Sequence, residues 1–288
     1  MPRRAGFSTV PPEALFVVSG ISMYIGASVA VVAFDYLPAA GVAWWRVLWA
    51  GIIVSLARRA WRGPWSRRQV LLAAVFGTAL AAMNLSFYLA IDRLPLGTTV
   101  AIEFAGPVSV AVLGSRTRRS LAALALTVAG VLVLADVQFE ANAAGVVFAL
   151  MAASFWAAYI VLGARVATEA RAADGLGIGM LVGALAIGPY AFPKALEFGD
   201  APCVLALALV TAVLSNAIPY GLDQVILRRI PRARFAFLLA LLPVTATLTG
   251  FVALAQRPGG AELAGIALVV AGIAASERPA REEPPAPG

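Results

Sequence analysis

Histidine is absent from this 288-residue chain, cysteine occurs once, and charged side chains make up only 13% of it. Without histidine there is no imidazole to ligate a metal, activate a nucleophile or relay protons. The lone Cys203 lies in an apolar run, which leaves neither a disulfide framework nor a thiolate metal site. No metal and no cofactor is expected. A paired-Asp motif and a serine-based motif are missing too, so an intramembrane enzyme is only a remote alternative. Nor does any ten-residue stretch alternate polar and apolar residues as lipid-facing barrel strands do.

What the chain has in abundance is hydrophobicity, 61% of its residues, spread over the whole length. A soluble domain is about half apolar and about a quarter charged, so the composition predicts an all-α integral membrane protein. The net charge of +7 does not point to nucleic acid, because the arginines sit in short connections between apolar runs, where they carry topology. Runs long enough to cross the hydrocarbon core fall at 13–34, 39–57, 69–91, 94–114, 119–135, 143–163, 175–193, 202–226, 233–254 and 262–276. Ten transmembrane helices are expected, the first of them uncleaved. Eighteen arginines lie in one set of connections, against Arg93, Lys194 and Arg257 in the alternate set. That bias places both termini in the cytoplasm, with 1–12 as a cytoplasmic N-terminus and the proline-rich 277–288 as a disordered cytoplasmic tail.

The two halves resemble each other. "ALTVAGV" at 125–131 matches "ALVVAGI" at 267–273, and Leu94-Pro95 matches Ile230-Pro231. A second proline follows in each half, Pro107 and Pro243, and Ser22-Met23-Tyr24 matches Ser154-Phe155-Trp156. The offsets stay between 132 and 142 residues. Two five-helix repeats, 13–135 and 143–276, are therefore expected. An odd number of spans per half inverts the second relative to the first, as in secondary transporters that carry their substrate site between the halves. That architecture favours alternating access.

Three ionisable residues fall inside spans: Arg46, Glu103 and Asp223. A charge near the bilayer centre costs on the order of 3 kcal/mol, so such residues face a cavity or a partner. Pro107 lacks an N–H, and its ring crowds the carbonyl four residues earlier, that of Glu103. Gly106-Pro107 thus marks a helix break beside the carboxylate, with Pro243 as its counterpart and Leu239 in the place of the Glu. Glu103 reads either as a proton-coupling and substrate residue or as a protonated tie between helices. Arg46 reads as a fixed cation or as a snorkelling residue of an aromatic belt with Trp44, Trp45 and Trp49. Asp223 reads as an interfacial salt-bridge partner of the arginines that follow it. Asn84 and Tyr88 share one helix face and Asn216 and Tyr220 another, for substrate contact or interhelical hydrogen bonds. Gly175, Gly179 and Gly183 form a close-packing face.

On "MNLSFYLAIDRLPLGTTVAIEFAGPVSVAVLGSR" at 83–116 and "LSNAIPYGLDQVILRRIP" at 214–231, the chain resembles drug/metabolite transporters of the EamA type, and among them bacterial threonine/homoserine exporters. The resemblance puts Asn84, Tyr88, Glu103, Gly106 and Pro107 on the family's central-cavity segment, and Arg46 on its second-span arginine. It implies a multi-pass inner-membrane antiporter with a small-molecule substrate and protons as its partners, exporting small amino acids. A broad exporter of drugs or other metabolites is the alternative. The chain departs from such exporters at Leu242 and at Ala255-Gln256, where they often carry acidic residues.

Overall fold

The computed structural model describes residues 10–62, 64–114, 117–166, 172–197, 203–219, 222, 226, 238–239 and 241–276. Among them all regular structure is helical. The elements are α1 (Pro12–Ala33), α2 (Ala39–Arg58), α3 (Arg67–Ile91), α4 (Leu96–Glu103), α5 (Ala105–Gly114), α6 (Arg118–Val166) and α7 (Ala172–Ala195). There follow α8 (Cys203–Ala212), which runs on into a π-helical turn at Val213–Ala217, then α9 (Leu241–Leu254) and α10 (Gly260–Ser276).

Local chemistry accounts for the starts and stops. Proline stands at or just before the first turn of α1, α2 and α4 (Pro11 and Pro12, Pro38, Pro95), where a missing N–H leaves no helix bond unmade. At α3, Ser66 and Gln69 form a reciprocal capping box, each side chain bonded to the other's backbone N–H. Asn142 breaks α6 with non-helical angles (φ −158°, ψ 77°). Its side chain accepts from Gly145 N at 3.1 Å and so caps the second part.

Six stretches are long and apolar enough to cross a membrane: Pro12–Ala33, Ala39–Arg58, Arg67–Ile91, Arg118–Gln138, Asn142–Gly163 and Gly175–Ala195. Shorter apolar helices lie at Leu96–Val110, Cys203–Asn216, Leu241–Leu254 and Gly260–Ala275. The outside of the bundle is the apolar side, with Leu132, Leu185 and Val252 at 63%, 73% and 80% exposure, while Arg46 and Glu103 are 8% and 7% exposed inside. Charge within and hydrocarbon without is the arrangement that a bilayer solvates. The chain is a multi-pass membrane protein.

Small residues let the helices meet backbone to backbone. A Cβ added to Gly77 of α3 would collide with the Gly179 backbone of α7, and one added to Gly183 with the Gly77 carbonyl. Gly175, the third member of that stripe, is looser, 3.7 Å from Ala73 Cβ. The indoles of Trp44 and Trp45 donate to the carbonyls of Ala184 and Ala195, each at 2.9 Å. These tryptophans thus fasten α2 to α7.

Candidate functional site

Arg46 projects from α2 into a cavity of about 200 Å³ between α1, α3, α4, the second part of α6, the π-helical turn and α9. That is room for several waters or one small molecule. Two carboxamides clasp the guanidinium. Nη1 donates to Asn84 Oδ1 from α3, and Nη2 donates to Asn216 Oδ1 at 3.2 Å. The guanidinium carbon also lies 5.0 Å from the centre of the Tyr88 ring, a cation–π distance. Asn84 is itself oriented by donating Nδ2 to the Leu80 carbonyl at 2.8 Å. Arg46 Nε is buried and has no hydrogen-bond partner among the described residues. Of the five N–H donors of a guanidinium, these asparagines occupy two.

Glu103 ends α4 and lines the same cavity. No hydrogen bond or ion pair engages its carboxylate among the described residues, and Arg46 and Tyr24 lie within its electrostatic reach. One helix bond is missing here for the reason the sequence suggests. Pro107 cannot donate to the Glu103 carbonyl, while Phe104 N donates to the Val100 carbonyl at 3.1 Å and Val108 N to the Phe104 carbonyl at 3.2 Å. The chain is not unwound there, since Phe104 keeps φ −64° and ψ −13°. Gly106 is needed for a different reason, because a Cβ there would run into the Ala153 carbonyl of α6.

Asn216 arrives by a π-helical turn, an insertion that re-aims side chains and often marks functional positions. The turn is tied to α1 from both sides. Ser22 Oγ donates to the Leu214 carbonyl and Ser215 Oγ to the Met23 carbonyl, both at 2.9 Å.

The cavity therefore collects Arg46, Asn84, Tyr88, Glu103 and Asn216 from the residues singled out in the sequence. Gly106, Pro107 and Pro243 shape the walls without lining it, and Tyr220 and Asp223 lie outside the described residues. The structure adds Met23, Tyr24, Met83, Phe87, Trp156 and Tyr159, together with Leu239 and Leu242. Aromatic and apolar residues in an apolar chain carry no composition signal. Register did flag two of them, because Tyr24 and Trp156 are the aromatics of the matched Ser-x-aromatic elements.

Residues 143–276 match the EamA-like transporter family. The threonine/homoserine exporter RhtA of Salmonella typhimurium is 32% identical over 279 residues, 95% of this chain and 93% of its own. The threonine/homoserine exporter RhtA of Escherichia coli is 32% identical over 278 residues, 94% of this chain and 93% of its own. A solved crystal structure shares the fold, with a TM-score of 0.57 at 18% identity over 92% of this chain and 96% of that one. With relatives aligned over nearly its whole length, the chain belongs to the EamA-like transporter family, and within it resembles the threonine/homoserine exporters.

Proposed function

We propose that this protein exports small amino acids of the threonine/homoserine type across the bacterial inner membrane, by alternating access coupled to protons. The observation that carries the reading is a cation and a carboxylate buried in one small cavity, with no ion pair between them. A zwitterion needs both. Arg46, presented by two amide oxygens that do not neutralise it, receives the substrate carboxylate. Glu103 receives the ammonium group, and in its absence a proton. Exchange of the two at one carboxylate couples export to proton entry without a histidine. The names of the relatives support the substrate class.

Ten spans in two inverted halves, 13–135 and 143–276, with both termini in the cytoplasm, complete the proposal. In support, the matched heptapeptides pack on each other reciprocally. Gly130 faces the Gly265 carbonyl and Val269, while Gly272 faces the Ala123 carbonyl and Thr127. Each contact is the other displaced by 142 residues, as a twofold relation requires. Asn84 and Asn216, 132 residues apart, likewise flank the single Arg46.

Counterflow of labelled threonine, homoserine and other amino acids into loaded proteoliposomes, with and without a pH gradient, tests the reading. Uptake of labelled threonine or homoserine that rises when the lumen is acid relative to the exterior, and falls when the exterior is acidified, is expected. Glu103→Gln should abolish the response to the gradient, and full gradient-driven transport by that variant would end the proton role. A second reading, a broad exporter of apolar metabolites or drugs, is favoured by Leu239 and Leu242 in the wall. Its mark would be raised resistance to such compounds with amino-acid tolerance unchanged.

A further inference from the structure

The transport reading leaves Glu262 without a role, although it is 7% exposed on the first turn of α10 and heavily bonded. Its Oε2 accepts from Gly259 N at 2.8 Å, which closes the start of the helix as a Glu in that position does. Its Oε1 does something a cap does not require. It accepts from Thr98 Oγ1 of α4 at 3.2 Å and from Gln138 Nε2 of α6 at 2.5 Å.

The neighbouring residue contacts converge on the same end of α4. Gln256 Oε1 accepts from Leu96 N, the first residue of that helix, at 2.9 Å. Gln256 is held in turn by donating its backbone N–H to the Gly250 carbonyl at 3.1 Å, just past Ala255 in left-handed geometry (φ 54°). A Cβ built on Gly97 would lie 2.9 Å from Thr247 Cα of α9. One end of α4 is thus clasped by α9, α10 and the connection between them, and the other end carries Glu103 into the cavity. An eight-residue helix is a stiff rod of about 12 Å, so displacement at the clasp appears at the carboxylate.

We propose that Glu262 is a positioning residue of the transport cycle. With Gln256 it latches the first turn of α4, sets where Glu103 stands, and must release for that end of the cavity to open. The inference rests on the transport reading but not on which substrate is carried.

The test uses the full chain with the exposed Cys203 changed to Ala and a single Thr99→Cys reporter. Thr99 is fully buried on α4 and its hydroxyl has no hydrogen-bond partner among the described residues. Labelling by a small charged thiol reagent then reports opening at the latched end. Thr98→Val removes a latch bond and leaves the α10 cap intact. Glu262→Gln keeps the cap, since Gln serves there as well as Glu, but sets a carboxamide against Gln138. Each should raise the labelling rate about tenfold, the factor that follows from losing one hydrogen bond to a charged acceptor. Each should also lower turnover per folded molecule, with substrate affinity within about twofold of the parent. Gln256→Ala, at a half-buried position, provides a third route to the same end. Parent-like labelling in all three variants, or faster labelling with unchanged turnover, overturns the proposal and leaves Glu262 a helix cap. Absence of amino-acid counterflow in the unmutated protein counts only against the substrate reading, because labelling needs no substrate.

Discussion

Holding a guanidinium with two carboxamides instead of a carboxylate leaves its full charge available to a ligand, because an amide oxygen is a dipole and not a counter-ion. The same clasp fixes the plane of Arg46, which a lysine could not reproduce with one point charge. Arg46→Lys should therefore weaken substrate binding about 100-fold, the loss of two charge-assisted bonds, as read by equilibrium binding to purified protein. Tyr88 remains as a cation–π surface in that variant and does not compensate. Arg46, Glu103 and Asn84 were legible from the sequence because lipid penalises each of them unless something answers its polarity. Phe87 and Tyr159 were not legible, since an aromatic ring in an apolar run suits lipid, core and cavity equally. The sequence could not give the contacts that turn Arg46 inward to Asn84 and Asn216 and fix Trp44 and Trp45 on carbonyls of α7.

At the scale of elements, two irregularities build the site: the helix bond missing at the Glu103 carbonyl and the π-helical turn at Val213–Ala217. The first was announced by Gly106-Pro107. The second has no residue signature in "VLSNA", where a single extra residue per turn alters bonding without altering composition. The tightness of Gly106 was also hidden, because its neighbour Ala153 is 47 positions away and only packing brings them together. Gly106→Leu should destabilise the protein by about 1–3 kcal/mol, the usual cost of overpacking. The measurement is a lowered thermal midpoint in detergent, followed by size-exclusion fluorescence. An unchanged midpoint would mean that the α5–α6 contact yields freely.

For the molecule as a whole, the apolar runs were plain in the sequence, since every run carries helix where it is described. Which run lies against which was not, because one apolar face fits another without regard to partner. The pairing of α2 with α7 depends on shape, for instance on Gly51 lying against Leu181. The reciprocal contacts of Gly130 and Gly272 are likewise shape, and they lie in the strongest internal match of the chain. Gly130→Leu and Gly272→Leu should lower the thermal midpoint by similar amounts. Their combination should fall short of the sum, because they share one interface. Simple additivity would argue that the two contacts act independently. One more property follows from the cavity walls. A cation from α2, a carboxylate from α4 and the hydrocarbon of Leu239 and Leu242 are three unlike contacts around one small volume. Three unlike anchors are the fewest that tell a tetrahedral carbon from its mirror image. On the proposed export reading the cavity is a chiral receptor: an amino acid and its enantiomer cannot both satisfy the two charges and place their side chains against the same wall.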